Sequence, residues 1–222
     1  MKRRRRLALP LSVAPTAPDH EPDLAAEHKA AILAALRWAW SELQRDHADL
    51  LRNGDEESVT ERLQFILNDR TGGARRASWL RDFESVTRSE NQRTADGRLQ
   101  KKPDLTFRPP PNAKVINATR WGWFVECKIV DGGASVTAYR DNGVRRFSDG
   151  EYAAWMESGA MVAYVRDGTR PGATLEPSLR GRVGTRRHTP GPSDDRSESE
   201  HARGSLPNPC VDVTLTHLWL LV

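Results

Sequence analysis

The sequence predicts an α/β domain with a central mixed sheet flanked by helices. Residues 123–130, Trp-Phe-Val-Glu-Cys-Lys-Ile-Val, are aromatic and β-branched and lie between Gly122 and the pair Gly132-Gly133, the pattern of a strand. Residues 23–52 and 55–68 space their apolar side chains on a helical face. A helix-start signal at Ser148-Asp149-Gly150-Glu151, followed by the apolar run 161–165, gives a helix and then a short buried strand.

In chain order, residues 1–22 read as a disordered tail, a charge run from Lys2 to Arg6 followed by a Pro-rich stretch. The apolar residues after the run are few and broken by Pro10, which argues against an export signal. Two roles stay open for the tail: non-specific contact with nucleic acid, or none. Helix 23–52 follows, alanine-rich, with Leu33, Leu36, Trp40, Leu43, Leu50 and Leu51 on its face, Asp23 as cap and Asn53-Gly54 as its end. In helix 55–68 the stripe is Val59, Leu63, Ile66 and Leu67. Counting back from Val59 puts Glu56 on the apolar side and Glu61 opposite. Ser58-Val59-Thr60-Glu61 is itself a capping box, and a helix starting there leaves Glu56 in the loop before it.

Residues 79–87 read as a strand pairing with the one that contains Asp104. Residues 88–102 are polar and basic, and Lys101 and Lys102 are placed either to meet phosphates or simply to solubilise a sheet edge. Residues 23–166 and 209–222 form the expected single domain. Residues 167–208, poor in apolar side chains and rich in Arg, Gly, Pro, Ser and acids, read as a long mobile loop within it. The first half of that loop is basic enough to track a nucleic-acid backbone. The closing strand, 211–222, begins next to Cys210 and carries His217, a histidine better suited to structure than to catalysis.

The charges on the central strand are the informative feature. Strand side chains alternate, so Phe124, Glu126, Lys128 and Val130 share one face and Trp123, Val125, Cys127 and Ile129 the other. Glu126 and Lys128 are costly there unless paired or bound to a metal. Asp104 lies in the preceding apolar run, and residues 108–120 read as the loop of an antiparallel hairpin. Closing that hairpin brings two carboxylates and one ammonium into a small space. An ion cluster at a sheet edge is the alternative use of the same trio.

The set Pro103-Asp104 followed by Glu126-Cys127-Lys128, 22 residues from Asp104 to Glu126, resembles the PD-(D/E)XK nuclease superfamily. The resemblance implies a restriction-endonuclease-like αβββαβ core and Mg²⁺-dependent hydrolysis of DNA, with Mn²⁺ as a substitute ion and 5′-phosphate and 3′-hydroxyl products. It implies Asp104, Glu126 and the main-chain carbonyl of Cys127 as metal ligands, and Lys128 as the group that orients or deprotonates water or stabilises developing charge. Members of the superfamily carry an acid on the helix before the sheet. Glu56 matches it, with Glu57 second, and a first-turn carboxylate favouring the helix dipole is the competing role. The order Tyr139, Gly143, Arg146-Phe147, Tyr152 also looks like restriction-type nucleases of prokaryotic defence, where Arg146 would meet a phosphate or the active site; a salt bridge to Asp141 or Asp149 is its other use.

Composition narrows the classes. The chain has 222 residues, net charge +4 and a pI near 9.3, enough for one core and a mild bias toward polyanions. No run reaches the length of a membrane span. Two cysteines make no disulfide framework and suit a reducing cytoplasm, and six histidines show no zinc spacing. A Walker loop is absent from the sequence. The expected partners are DNA and, beyond it, a second copy in a homodimer or a defence-system protein. The alternative function is a binding or interaction module that keeps the fold without cutting, or a subunit inactive alone.

Overall fold

The structure is a computed structural model and describes residues 20–69, 83–87, 92–93, 99–204, 206 and 212–222. Its elements run α1 (Ala26–Asp46), α2 (Ala48–Asn53), α3 (Glu56–Asn68), β1 (Gln92–Arg93), β2 (Leu99–Lys101), β3 (Leu105–Phe107) and β4 (Trp123–Val130). They continue with α4 (Gly133–Ala138), a π-helical segment Tyr139–Val144, α5 (Arg145–Ser148), β5 (Ser158–Val165), α6 (Pro171–Leu179), β6 (Thr185–Pro190), β7 (Arg196–His201) and β8 (Val213–Leu221). Six strands form one mixed sheet in the order β3-β4-β5-β8-β7-β6, and β1 and β2 pair separately. Strands β4, β5 and β8 are mutually parallel, whereas β3 and β7 run antiparallel to their neighbours. The fold is therefore α/β, with a mixed open sheet and helices on both faces.

The alternation read from β4 organises the layers. On the Cys127 face, Tyr164 stacks on Trp40 of α1 at 5.1 Å and its hydroxyl meets Thr60 of α3 at 3.1 Å. On the Glu126 face lie α4, the π-helical segment and α5. Gly143 of that segment sits so close to the sheet that a Cβ would overlap Met161 Cε and lie 3.7 Å from Lys128 Cγ. Tyr139 packs against Trp219 with ring centroids 5.9 Å apart. Among the described residues, no helix is long and apolar enough to cross a membrane.

Several expectations are corrected. The first helix is two, broken at His47, whose φ of −140° leaves the helical region; Arg62 holds its ring through a 2.9 Å bond to Nε2. Asp23 does not cap α1, because its carboxylate is taken by Lys29 and Ser158, both at 2.5 Å. The expected helix over 55–68 does form, beginning at Glu56 with Asp55 as its N-cap accepting from Ser58 N, so the alternative start at the Ser58 capping box is not used. Residues 20–22 are not part of a loose tail: buried Glu21 accepts the N–H groups of Ile116 and Asn117 at 2.8 and 3.0 Å. Residues 1–19, 79–82 and Cys210 lie outside the described residues. What is described of the 79–87 strand is a single bridge, Thr87 to Thr106.

The helix expected from Ser148 is absent. Ser148 ends α5 instead, and its hydroxyl donates to Arg145 O. Gly150 takes a φ of +68°, which reverses the chain, and Gly159 lies inside β5 rather than at a helix end. The turn that replaces the helix is irregular, so its carbonyls need donors. Buried Arg203 supplies them: Nε donates to Phe147 O at 2.8 Å, Nη1 to Ala153 O at 3.1 Å and Nη2 to Tyr152 O at 3.3 Å. Replacing Arg203 with methionine strands these acceptors, and urea unfolding should show a loss of about 3 kcal/mol. A loss under about 1 kcal/mol would mean that the turn does not depend on the guanidinium.

The expected mobile loop 167–208 is largely ordered, as α6 and the β6–β7 hairpin that completes the sheet. Polarity misled the reading because the inward residues of β7 are Ser197, Ser199 and His201. Burial of Ser199 and His201 is tolerated because hydrogen bonds satisfy them, whereas the Ser197 hydroxyl is buried with no partner among the described residues. Ser199 Oγ sits 2.7 Å from His201 Nε2 and 2.6 Å from His217 Nε2, and His217 Nδ1 meets the Tyr139 hydroxyl at 2.8 Å. Four arginines of the supposed basic half are paired with acids: Arg170 with Asp194, Arg180 with Glu176, Arg186 with Asp212 and Arg187 with Glu200.

Candidate active site

Strands β3 and β4 pair with Leu105 opposite Val125, which sets Asp104 opposite Glu126, one step beyond the paired residues. The expected hairpin thus forms. Asp104 Oδ2 accepts the N–H of Cys127 at 2.7 Å, so one carboxylate oxygen is fixed against the backbone of β4. Glu126 is 1 % exposed. Its Oε1 faces two cations, Lys128 Nζ at 2.9 Å and Arg146 Nη1 at 2.8 Å, and its Oε2 is buried with no hydrogen-bond partner among the described residues.

Lys128 gathers the third element. Its Nζ donates to Glu56 Oε1 at 2.6 Å and to Cys127 O at 2.8 Å, besides the ion pair with Glu126. Glu56, at the first position of α3, also accepts Ile129 N–H through Oε2 at 3.2 Å. The helix acid at the site is therefore Glu56, and Glu57 is exposed. In this arrangement Glu56 reaches Lys128 and the strand backbone.

Arg146 pairs with Glu126 rather than with Asp141. Asp141 is taken by Arg140 and Arg145, and Arg146 turns instead into the site, to Glu126 and to the hydroxyl of Tyr152 at 2.7 Å. Lys101 pairs with Glu151 at 3.2 Å. Lys102 is exposed at the side chain, and its carbonyl accepts the Tyr152 hydroxyl at 2.9 Å. Cys127 is buried, and burial pushes its thiol pKa up, so it is an apolar residue that contributes only its backbone. Tyr152 joins the site without a role that the sequence assigns it, because its partners on Lys102 and Arg146 are visible only in three dimensions.

Electrostatics follow from this crowding. Burial, reinforced by the charge on Asp104, pushes the Glu126 carboxyl up to about 8, against the pull of Lys128 and Arg146. Burial works against the Lys128 ammonium, but Glu126, Glu56 and Asp104 outweigh it and hold its pKa above the ordinary lysine value. Among the described residues, no group of three or more His, Cys, Asp or Glu side chains converges on a metal position. The donors present are two carboxylates and one carbonyl, all hard oxygens, and the unpartnered Glu126 Oε2 is an acceptor still lacking a cation or donor. That set fits a divalent ion of the Mg²⁺ type, which needs few protein ligands.

Comparison with protein-family models, with curated proteins and with solved structures finds no match to the chain.

Proposed function

We propose that this protein is a metal-dependent endonuclease with the restriction-endonuclease-like αβββαβ core, hydrolysing DNA phosphodiester bonds at Asp104, Glu126 and Lys128. The observation that carries the reading is the buried Glu126 carboxyl group, whose Oε2 lacks a partner, opposite Asp104 in the strand register and next in the chain to the Cys127 carbonyl that Lys128 also reaches. A sheet stabilised by ion pairs alone gains nothing from such an orphan. Asp104, Glu126 and Cys127 O would hold the ion. When bound, Mg²⁺ or Mn²⁺ neutralises phosphate charge and lowers the pKa of water. The chain supplies the rest. Asp104 stays aligned through its bond to Cys127 N–H, and Lys128, anchored by Glu56, presents a fixed positive charge beside the carboxylates. Arg146, with a third of its side chain exposed, offers a guanidinium to a phosphate.

Plasmid incubated with the protein and Mg²⁺ or Mn²⁺ should be nicked, and EDTA should stop it. Asp104→Asn keeps an oxygen acceptor for Cys127 N–H, so that variant should fold, bind DNA and fail to cut. Binding without metal-dependent cutting by the parent would instead favour a non-cleaving module, the reading consistent with a closed ion cluster around Lys128.

A further inference from the structure

Tyr152 grips Arg146 at both ends. Its backbone N–H donates to Arg146 O at 3.0 Å, alongside Glu151 N–H at 2.8 Å, within the turn reversed at Gly150. Its hydroxyl accepts from Arg146 Nη1 at 2.7 Å, and the guanidinium lies 5.6 Å from the ring centroid. The phenol proton is committed elsewhere, since the same hydroxyl donates to Lys102 O at 2.9 Å, two residues before Asp104. The ring itself is 1 % exposed and set edge-on against Phe147 at 5.5 Å. One side chain thus ties α5, the segment leading to Asp104 and, through Arg146, Glu126.

We propose that Tyr152 is a positioning residue that presents the Arg146 guanidinium to a backbone phosphate of the nucleic-acid substrate. The inference rests on the nuclease reading and deepens it. Arg146 is the cation at the site with both a buried anchor and an exposed side, whereas Lys128 is 13 % exposed and held by three oxygens. A freely rotating arginine would lose more entropy on meeting a phosphate than one already clasped.

The test is a double-mutant cycle on full-length protein, reading affinity for a short DNA duplex with Ca²⁺ in place of Mg²⁺. Arg146→Ala should weaken binding about tenfold and Tyr152→Phe about fivefold, in line with the loss of charge-assisted and neutral hydrogen bonds. The double variant should bind no more weakly than Arg146→Ala alone, because Tyr152 acts through Arg146. Tyr152→Phe keeps the ring against Phe147, so the protein should stay folded at a modest cost in thermal stability from the lost hydroxyl bonds, and Ca²⁺ titration without DNA should be unaltered. Losses that multiply in the double variant, or a Tyr152→Phe protein that binds DNA like the parent, overturn the inference. A parent that neither binds DNA nor cuts plasmid with Mg²⁺ or Mn²⁺ removes the nuclease reading, and this inference falls with it.

Discussion

Lys128→Ala is expected to lower metal-dependent cleavage by about a thousandfold, the scale seen when a preorganised charge or donor is removed from a reacting centre. The ammonium is fixed by Glu56 Oε1, Cys127 O and Glu126 Oε1, all within 2.9 Å, so it needs no reorganisation to meet developing negative charge. Its raised pKa keeps it protonated across working pH, which favours electrostatic stabilisation over proton abstraction. Lys128→Arg should therefore recover part of the activity, and the rate profile should show no inflection from Lys128 below about pH 10. Glu56→Gln should cost less, about ten- to a hundredfold, since Glu56 acts through Lys128 and retains an oxygen for Ile129 N–H. Single-turnover cleavage measures all three, with circular dichroism to check folding. If Lys128→Ala cuts within about tenfold of the parent, the ammonium is structural and the catalytic assignment is lost.

What could be read from the chain depended on how local the signal was. The period-two alternation of β4 places Glu126 and Lys128 on one face whatever surrounds it, and the antiparallel return through residues 108–120 brings Asp104 opposite Glu126. The helical stripe of Val59, Leu63 and Leu67 likewise carried Glu56 to the sheet. Reading failed where tertiary bonds overrode composition. The β6–β7 hairpin looked like loop because its buried face is serine and histidine, bonded to Tyr139, His217 and the Val183 carbonyl arriving from elsewhere in the chain. The Ser148 capping box was a valid local signal that lost to Arg203, a donor 55 residues later in the chain that holds the turn's carbonyls. Arg146 had two nearby acids as partners by sequence distance, yet paired with Glu126 because α5 lies across the sheet above it.

In the absence of divalent ions the protein should lose stability as pH rises from about 6.5 to 8, and Glu126→Gln should remove that slope. Glu126 has a folded pKa of about 8 against an ordinary 4.5, raised by burial first and Asp104 second. The native state then binds a proton that the unfolded chain has released. Its contribution is full below the ordinary value and disappears as pH climbs through about 8. Two buried histidines act in the opposite sense. Burial lowers His201 to about 4 and His217 well below its ordinary value of 6.5, so both destabilise the fold as pH drops under 6.5. Above that pH they are neutral in both states, which leaves Glu126 exposed as the source of the decline. Over that window the slope amounts to about 2 kcal/mol, measurable as a shift in urea midpoint with EDTA present. The slope rather than the level is the readout, because glutamine also alters the pairing of Lys128 and Arg146. Mg²⁺ should recover stability most strongly at pH 8 and release a proton as it binds, since a ligating carboxylate must be ionised. An equal slope in Glu126→Gln would assign the titration to another group, and stabilisation by Mg²⁺ that is independent of pH would place the ion away from Glu126.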